Sequence, residues 1–243
     1  MIALRGQLTR LPRHRRQQLR RIRRRPRWGN LRRRTPLSAT FGFDRGTPID
    51  RFYLERFLAE EASAIRGVVG EVAGSLYATS FGGDRVVRVE VIDIDPHNPH
   101  ATIVADLSDA DEVPAGAFDC LLVVQTLQYT PSPEVALANC LRSLRPGGTL
   151  LLAVPALAAH DDKERPEDDH WRFWPGGVVS LVSQVAPQAD SRVVAYGNLT
   201  TAIAFLHGLA AEELRDDELA RQDQRFPVVV CVRITLPGGA SGG

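Results

Sequence analysis

Acidic and amide side chains stand where apolar runs of this sequence end. Glu71 lies in VVGEVAG (68–74), Asp93 and Asp95 close VIDID (91–95), and Asp106 follows ATIVA (101–105). Gln125 and Thr126 follow a fourth run, AFDCLLVV (117–124). If the runs are strands, these groups line one edge of a sheet and can bind a ligand. Six histidines offer general bases near neutral pH. His14 lies in a basic arm, and His97 and His100 flank Asn98-Pro99 in a turn. His160 and His170 bracket an acidic loop, and His207 sits in FLHG (205–208). His170 is the first candidate for a base and His207 the second. The loop from His160-Asp161-Asp162 to Asp168-Asp169-His170 has the hard-oxygen and imidazole donors of a magnesium or manganese site. Loops this acidic are ordinarily solvated, so no metal is expected. Trp171, Arg172, Phe173 and Trp174 follow at once. Trp171 and Arg172 are candidates for substrate contact, with anchoring of the loop to the core as the other use of tryptophan.

The elements that must position these residues read as alternating strands and helices. Strands are expected at 67–73, 85–95, 101–105, 117–124, 149–155, 191–196 and 226–237. Helices are expected at 49–65, 133–145, 176–187 and 200–221, the second stopped by Arg145-Pro146-Gly147-Gly148. Near-continuous apolar strands between helices predict a mainly parallel sheet covered on both faces. Such sheets bind ligands beyond the carboxyl ends of their strands. That rule selects Gly74, Asp95, Asp106, Gln125 and the loop after Pro155.

Composition bounds the rest. The chain has 243 residues, 44% hydrophobic and 24% charged, enough to bury a core. No apolar run approaches the roughly 18 residues of a membrane-spanning helix. Three scattered cysteines, Cys120, Cys140 and Cys231, give no disulfide framework, and a reducing cytoplasm is the expected compartment. The net charge of +1 conceals an asymmetry. Residues 1–40 hold 14 arginines and no acid. The remainder holds 16 basic residues against 29 acidic ones, a net of −13. Residues 1–40 therefore read as a basic arm, 41–237 as the folded domain, and 238–243 as a flexible tail. The arm, densest over 5–34, could meet an anionic lipid or glycan surface or nucleic acid, stay a solvated tail, dock on the acidic body, or serve as an organellar transit peptide, which is also Arg-rich and acid-poor. Its single aromatic, Trp28, argues against single-stranded nucleic acid.

VVGEVAG, VIDID, ATIVADL (101–107), FDCLLVVQTLQY (118–129) and LRSLRPGGTLLLAVP (141–155) together resemble the class I S-adenosylmethionine-dependent methyltransferases. The resemblance spans roughly residues 41–237 and favours the small-molecule branch, in a bacterial subgroup associated with sugar and natural-product chemistry. It implies a Rossmann-like, doubly wound α/β sheet of seven strands with the last antiparallel, and S-adenosylmethionine as cofactor. Glu71 and Gly74 would face the methionine end of the cofactor. Asp95, or Asp93, would bind the ribose, and Asp106 with Leu107 the adenine. Gln125 and Thr126 would face cofactor and acceptor. Arg45, in the opening FGFDRGTPIDRFYLERFL (41–58), would close over the site, with a salt bridge within its turn as the alternative. The implied reaction is methyl transfer to a small molecule, a hydroxyl of a sugar or glycosylated natural product. A binding protein that kept the fold without turnover is one alternative, and a nucleic-acid methyltransferase using the arm another. The sequence departs from the family at the glycine-rich turn. Glu71-Val72-Ala73-Gly74-Ser75-Leu76-Tyr77 retains one glycine, and the connection to the next strand is too short for the usual first helix.

Overall fold

The structure is a computed structural model and describes residues 29–161 and 165–239. The chain divides into two units between Pro36 and Leu37. Most of the basic arm, with His14, and the acidic-loop residue Asp162 lie outside the described residues. In the first unit, Gly29–Arg32 forms a short 3₁₀ turn.

The second unit is built on a seven-stranded sheet in the order β3-β2-β1-β4-β5-β7-β6. The strands are β1 (Gly67–Val72), β2 (Val86–Asp93), β3 (Ile103–Val104), β4 (Phe118–Val124), β5 (Leu144–Pro155), β6 (Asp190–Tyr196) and β7 (Val229–Thr235). Pairing is parallel from β3 to β5, and β7 runs antiparallel to both β5 and β6. All seven expected strands are present, and the last is antiparallel. Strand β3 is only two residues long and pairs with β2 at Ile92 and Asp93 alone. Residues 144–148 are already extended within β5, where the sequence suggested a helix stop.

Five helices cover the sheet: α1 (Ile49–Glu60), α2 (Pro133–Arg142), α3 (Pro175–Val185), α4 (Leu199–Leu206) and α5 (Asp216–Ala220). Alternate strand residues feed two separate cores, as a period of two demands. On one face Leu121, Val123, Leu150 and Leu152 pack with Leu137 and Cys140 of α2 and Val178 of α3. On the other, Val69, Leu122, Leu151 and Ala153 pack with Tyr53, Leu54 and Phe57 of α1 and Phe205 of α4. The three cysteines are free and buried in these layers. Burial pushes the Cys120 and Cys140 thiols up to about 12. No helix among the described residues is long and apolar enough to cross a membrane.

Two departures from the expected elements shape the site. The helix expected over 200–221 breaks after Leu206. Gly208 has φ +69°, and a Cβ there would lie 2.4 Å from the Ser38 carbonyl oxygen. That close approach lets residues 37–38 bind the helix end, with the Leu37 and Ser38 N–H groups donating to the His207 carbonyl. Between β1 and β2 the first helix is reduced to a π-helical turn, Ala78–Gly82, and a 3₁₀ turn, Gly83–Arg85.

Candidate active site

The strand order reverses between β1 and β4: β2 and β3 continue to one side of β1, and β4 begins the other. Doubly wound sheets bind ligands at the carboxyl end of such a switch point. Glu71 is the penultimate residue of β1, Asp93 the last of β2, and Gln125 the first after β4. Asp106 follows β3 by two residues. With neighbouring strands about 4.8 Å apart, these four residues follow one edge of the sheet.

A cleft of about 1020 Å³ opens at the switch point. Glu71, Ala73, Gly74 and Tyr77 form one wall, and Val124 lies across from them. Glu71 is buried, at 3% exposure. Its carboxylate accepts from the backbone N–H of Ala78 at 2.7 Å and of Tyr77 at 3.1 Å. One carboxylate thus caps the turn that stands in for a helix. Burial raises the Glu71 pKa, against the backbone N–H groups that lower it. Tyr77 lies where the family carries a glycine, and its hydroxyl accepts from Arg51 Nη1 at 3.1 Å.

Ala73 explains how the turn survives without its first glycine. Its φ is +65°, a left-handed conformation normally left to glycine. The backbone path is kept while the side chain is strained. Ala73→Gly should relieve roughly 1–2 kcal/mol of steric strain and return part of it as unfolded-chain entropy. The expected net is a stabilisation of about 0.5–1 kcal/mol, read as a raised urea midpoint with unchanged slope.

The other strand-end candidates lie along the same edge. Asp93 Oδ1 accepts from the Asp95 N–H at 2.9 Å, and Oδ2 from Asn98 Nδ2 at 2.6 Å. Asp95 is exposed and accepts from the His97 N–H at 2.9 Å. Asp106 Oδ1 accepts from the Ser108 N–H at 2.7 Å. The Leu107 side chain is buried, and its carbonyl accepts from Asn139. Thr126 Oγ1 is turned onto the Val124 carbonyl.

A second cleft, about 590 Å³, adjoins the first and shares Phe43 and Arg51 with it. Its charged and amide members are Asp50 and Arg51 at the start of α1, Gln125 and Gln128 after β4, and Asp161, Asp169 and Arg172 from the loop after β5. Gln125 has φ +50°, a strained conformation of the kind that recurs at functional sites. Its Nε2 donates to Asp50 Oδ2 at 3.3 Å, and its carbonyl accepts from Gln128 Nε2 at 2.8 Å. Asp50 is 9% exposed. Burial raises its pKa, while Arg51, two backbone N–H groups and Gln125 pull it down less. No local signal marks Asp50, which looks like any acid in the first turn of an amphipathic helix.

Arg172 does line the cleft, held by Asp169 on two oxygens and by the Ala158 and Ala159 carbonyls. Asp169 is lowered chiefly by that arginine, with help from His160 at 3.2 Å. The histidine candidates fare differently. His170 is exposed, and its backbone N–H donates to the Gln128 carbonyl. His207 caps the end of α4. Neither lines either cleft. Trp171 is also outside, its indole N–H donating to the Thr130 carbonyl at 2.9 Å. It anchors the loop. Arg45 lines neither cleft and is gripped by Glu213, with Nε to Oε2 at 2.9 Å. The ion pair spans 168 residues instead of closing within its own turn. Among the described residues, no three metal-ligating side chains cluster.

The family described as a methyltransferase domain matches residues 71–152, from Glu71 to the middle of β5. A SAM-dependent methyltransferase from Archaeoglobus fulgidus has the same fold at a TM-score of 0.50 and 9% identity, over 76% of this chain and 93% of that one. An S-adenosylmethionine-dependent methyltransferase from Mesorhizobium loti matches at 0.50 and 16%, over 74% and 96%. No curated protein sequence matches the chain. Sheet order and domain match agree: residues 71–152 are similar to the methyltransferase domain, and the seven-stranded body has the fold of these S-adenosylmethionine-dependent methyltransferases.

Proposed function

We propose that the protein transfers a methyl group from S-adenosylmethionine to a hydroxyl of a small molecule, a sugar or glycosylated natural product. The observation that supports this reading best is the pair of adjoining clefts at the switch point, the second floored by the buried Asp50 carboxylate. The first cleft suits the cofactor because Ala73 holds a glycine-like backbone and acids follow along its edge. The turn at Ala73-Gly74 would hold the methionine end, Asp93 or Asp95 the ribose, and Asp106 with Leu107 the adenine. When bound, the cofactor supplies an electrophilic methyl carbon on a sulfonium.

This chain's residues then have three tasks. Arg51 and Phe43, common to both clefts, set the acceptor against the cofactor. The aromatic walls exclude water. Asp50 takes the hydroxyl proton as the oxygen–carbon bond forms and the carbon–sulfur bond breaks, leaving a methyl ether and a thioether. A raised carboxyl pKa favours that role, since a general base works best when its pKa approaches the operating pH. Positioning supplies much of the rest, since holding two reactants in a near-attack pose is worth about 7–11 kcal/mol.

The altered turn supports a second reading. Ala73, Ser75 and Tyr77 stand where the family pattern carries glycines, and both Glu71 oxygens are occupied within the protein. A binding protein without turnover would show these features too. Isothermal titration with S-adenosylmethionine and S-adenosylhomocysteine separates the readings. Micromolar binding, weakened about tenfold or more in Asp95→Ala and Asp106→Ala, is expected of the enzyme. A folded protein that binds neither would leave the scaffold reading.

A further inference from the structure

The second cleft contains two buried oxygen atoms that meet no donor in the described protein, Asp50 Oδ1 and Gln128 Oε1. Both side chains line the cleft, and Gln128 is 4% exposed. Their orientations are fixed by one residue. Gln128 Nε2 donates to the Gln125 carbonyl, so a flipped amide would set oxygen against oxygen. Oε1 must therefore point elsewhere. Asp50 spends Oδ2 on Gln125 Nε2, which leaves Oδ1. Gln125 thus serves one neighbour through its side chain and the other through its backbone. Buried acceptors without donors are rare in folded proteins and call for a bound partner.

Two acceptors on side chains that line one cleft and are both held by Gln125 call for two donors on one ligand. The charges of the cleft bear on which donors these are. Arg51 lies 3.9 Å from Asp50 Oδ2, and Arg172 is bound to Asp169. The charge of Asp50 is met by Arg51 and Gln128 carries none, which weakens the case for an ammonium ligand at this pair, although Asp161 adds a third carboxylate to the lining. Phe41, Tyr129 and Phe205 contribute apolar faces to the same cleft, surfaces against which a ring packs.

We propose that the acceptor is a neutral ring carrying two adjacent hydroxyl groups. One donates to Asp50 Oδ1 and loses its proton on methylation. The other donates to Gln128 Oε1 and keeps it. This rests on the methyl-transfer reading above and narrows its substrate class to vicinal diols. Gln128 is then a specificity residue, and the reaction gives a monomethyl ether. Sugars and catechols share this donor pair.

The test uses the full chain with S-adenosylhomocysteine present and follows ligand binding by saturation-transfer NMR and competition. One arm compares methyl α-D-mannopyranoside with its 2-deoxy analogue. The other compares catechol with phenol. At least one diol is expected to bind about tenfold or more tightly than its single-hydroxyl partner. Gln128→Met, which keeps the volume and removes the oxygen, should erase that preference while S-adenosylhomocysteine still binds. Should Gln128→Met fail to fold, Asp50→Asn, which turns an acceptor into a donor, should also erase it. Equal binding of diol and partner overturns the proposal. So does a preference that survives in the folded variants, or no diol binding by a protein that binds S-adenosylhomocysteine. Failure of the intact, folded protein to bind S-adenosylhomocysteine instead removes the methyl-transfer reading and the diol assignment with it.

Discussion

Asp50→Asn is expected to lower turnover by about 10²–10⁴-fold, the range for removing a positioned general base. Asp50 lines the second cleft and not the first, so under the proposed assignment affinity for S-adenosylhomocysteine should change little. The pH profile carries the stronger test. Burial holds the carboxyl above its ordinary value, so the rising limb of kcat/KM should lie above the ordinary aspartate pKa of about 3.9. That limb should be absent in the variant. The same shift has a stability consequence. The folded state binds this proton more tightly than the unfolded chain does. The contribution of Asp50 to stability is therefore complete below the unfolded pKa and is lost as pH rises through the higher folded one. At pH 7 an ionised Asp50 is less well solvated than in water, and Asp50→Asn should unfold at an equal or higher urea concentration. Loss of stability together with turnover, and an unchanged pH limb in the residual activity, would make Asp50 structural and return the base to another residue.

Glu71→Ala should have the largest effect on stability. The substitution leaves the Tyr77 and Ala78 N–H groups without their acceptor. Each buried, unsatisfied donor costs about 1–3 kcal/mol. Since ionised Glu71 is itself disfavoured by burial, removing that charge offsets part of the loss. A net destabilisation of about 2–4 kcal/mol is expected, or roughly 5–15 °C in Tm for a domain this size. Cofactor affinity should fall with it, because the π-helical turn at Ala78–Gly82 has lost its anchor. Glu71→Gln keeps one acceptor oxygen and should fall between wild type and Glu71→Ala. Calorimetry with and without S-adenosylhomocysteine measures both effects. Wild-type melting and affinity in Glu71→Ala would show that the turn holds without its cap.

Much of this architecture was legible in the sequence, for physical reasons. Near-continuous apolar runs marked the central strands because both faces of the sheet are buried. Strand ends marked the ligand edge because parallel strands finish together. The break after Leu206 was hidden because Gly208 is required by the approach of Ser38 from 170 residues away, which local periodicity cannot encode. The acceptor side was hidden for a related reason. His170 and His207 drew attention by residue type, yet type says nothing about which way a side chain faces. Asp50 differs from the chain's other acids only through the cleft built around it by Gln125, Gln128 and Arg51, whose convergence is tertiary. Arg172 could be found because it sits in the loop after β5. Arg45 pointed to an ion pair, but its partner, Glu213, lies far along the chain.

The brevity of β3 bears on how the protein avoids itself. Because β3 covers β2 only at Ile92 and Asp93, no strand among the described residues lies beside the outer margin of β2 over residues 86–90. Val87 stands 82% exposed there. An open margin of this kind is a template on which another chain could lay a strand and begin an aggregate. Arg88 and Glu90, paired at 2.8 Å on that same stretch, put charge in the path of such an addition. They act as gatekeepers, guarding solubility at a site remote from catalysis.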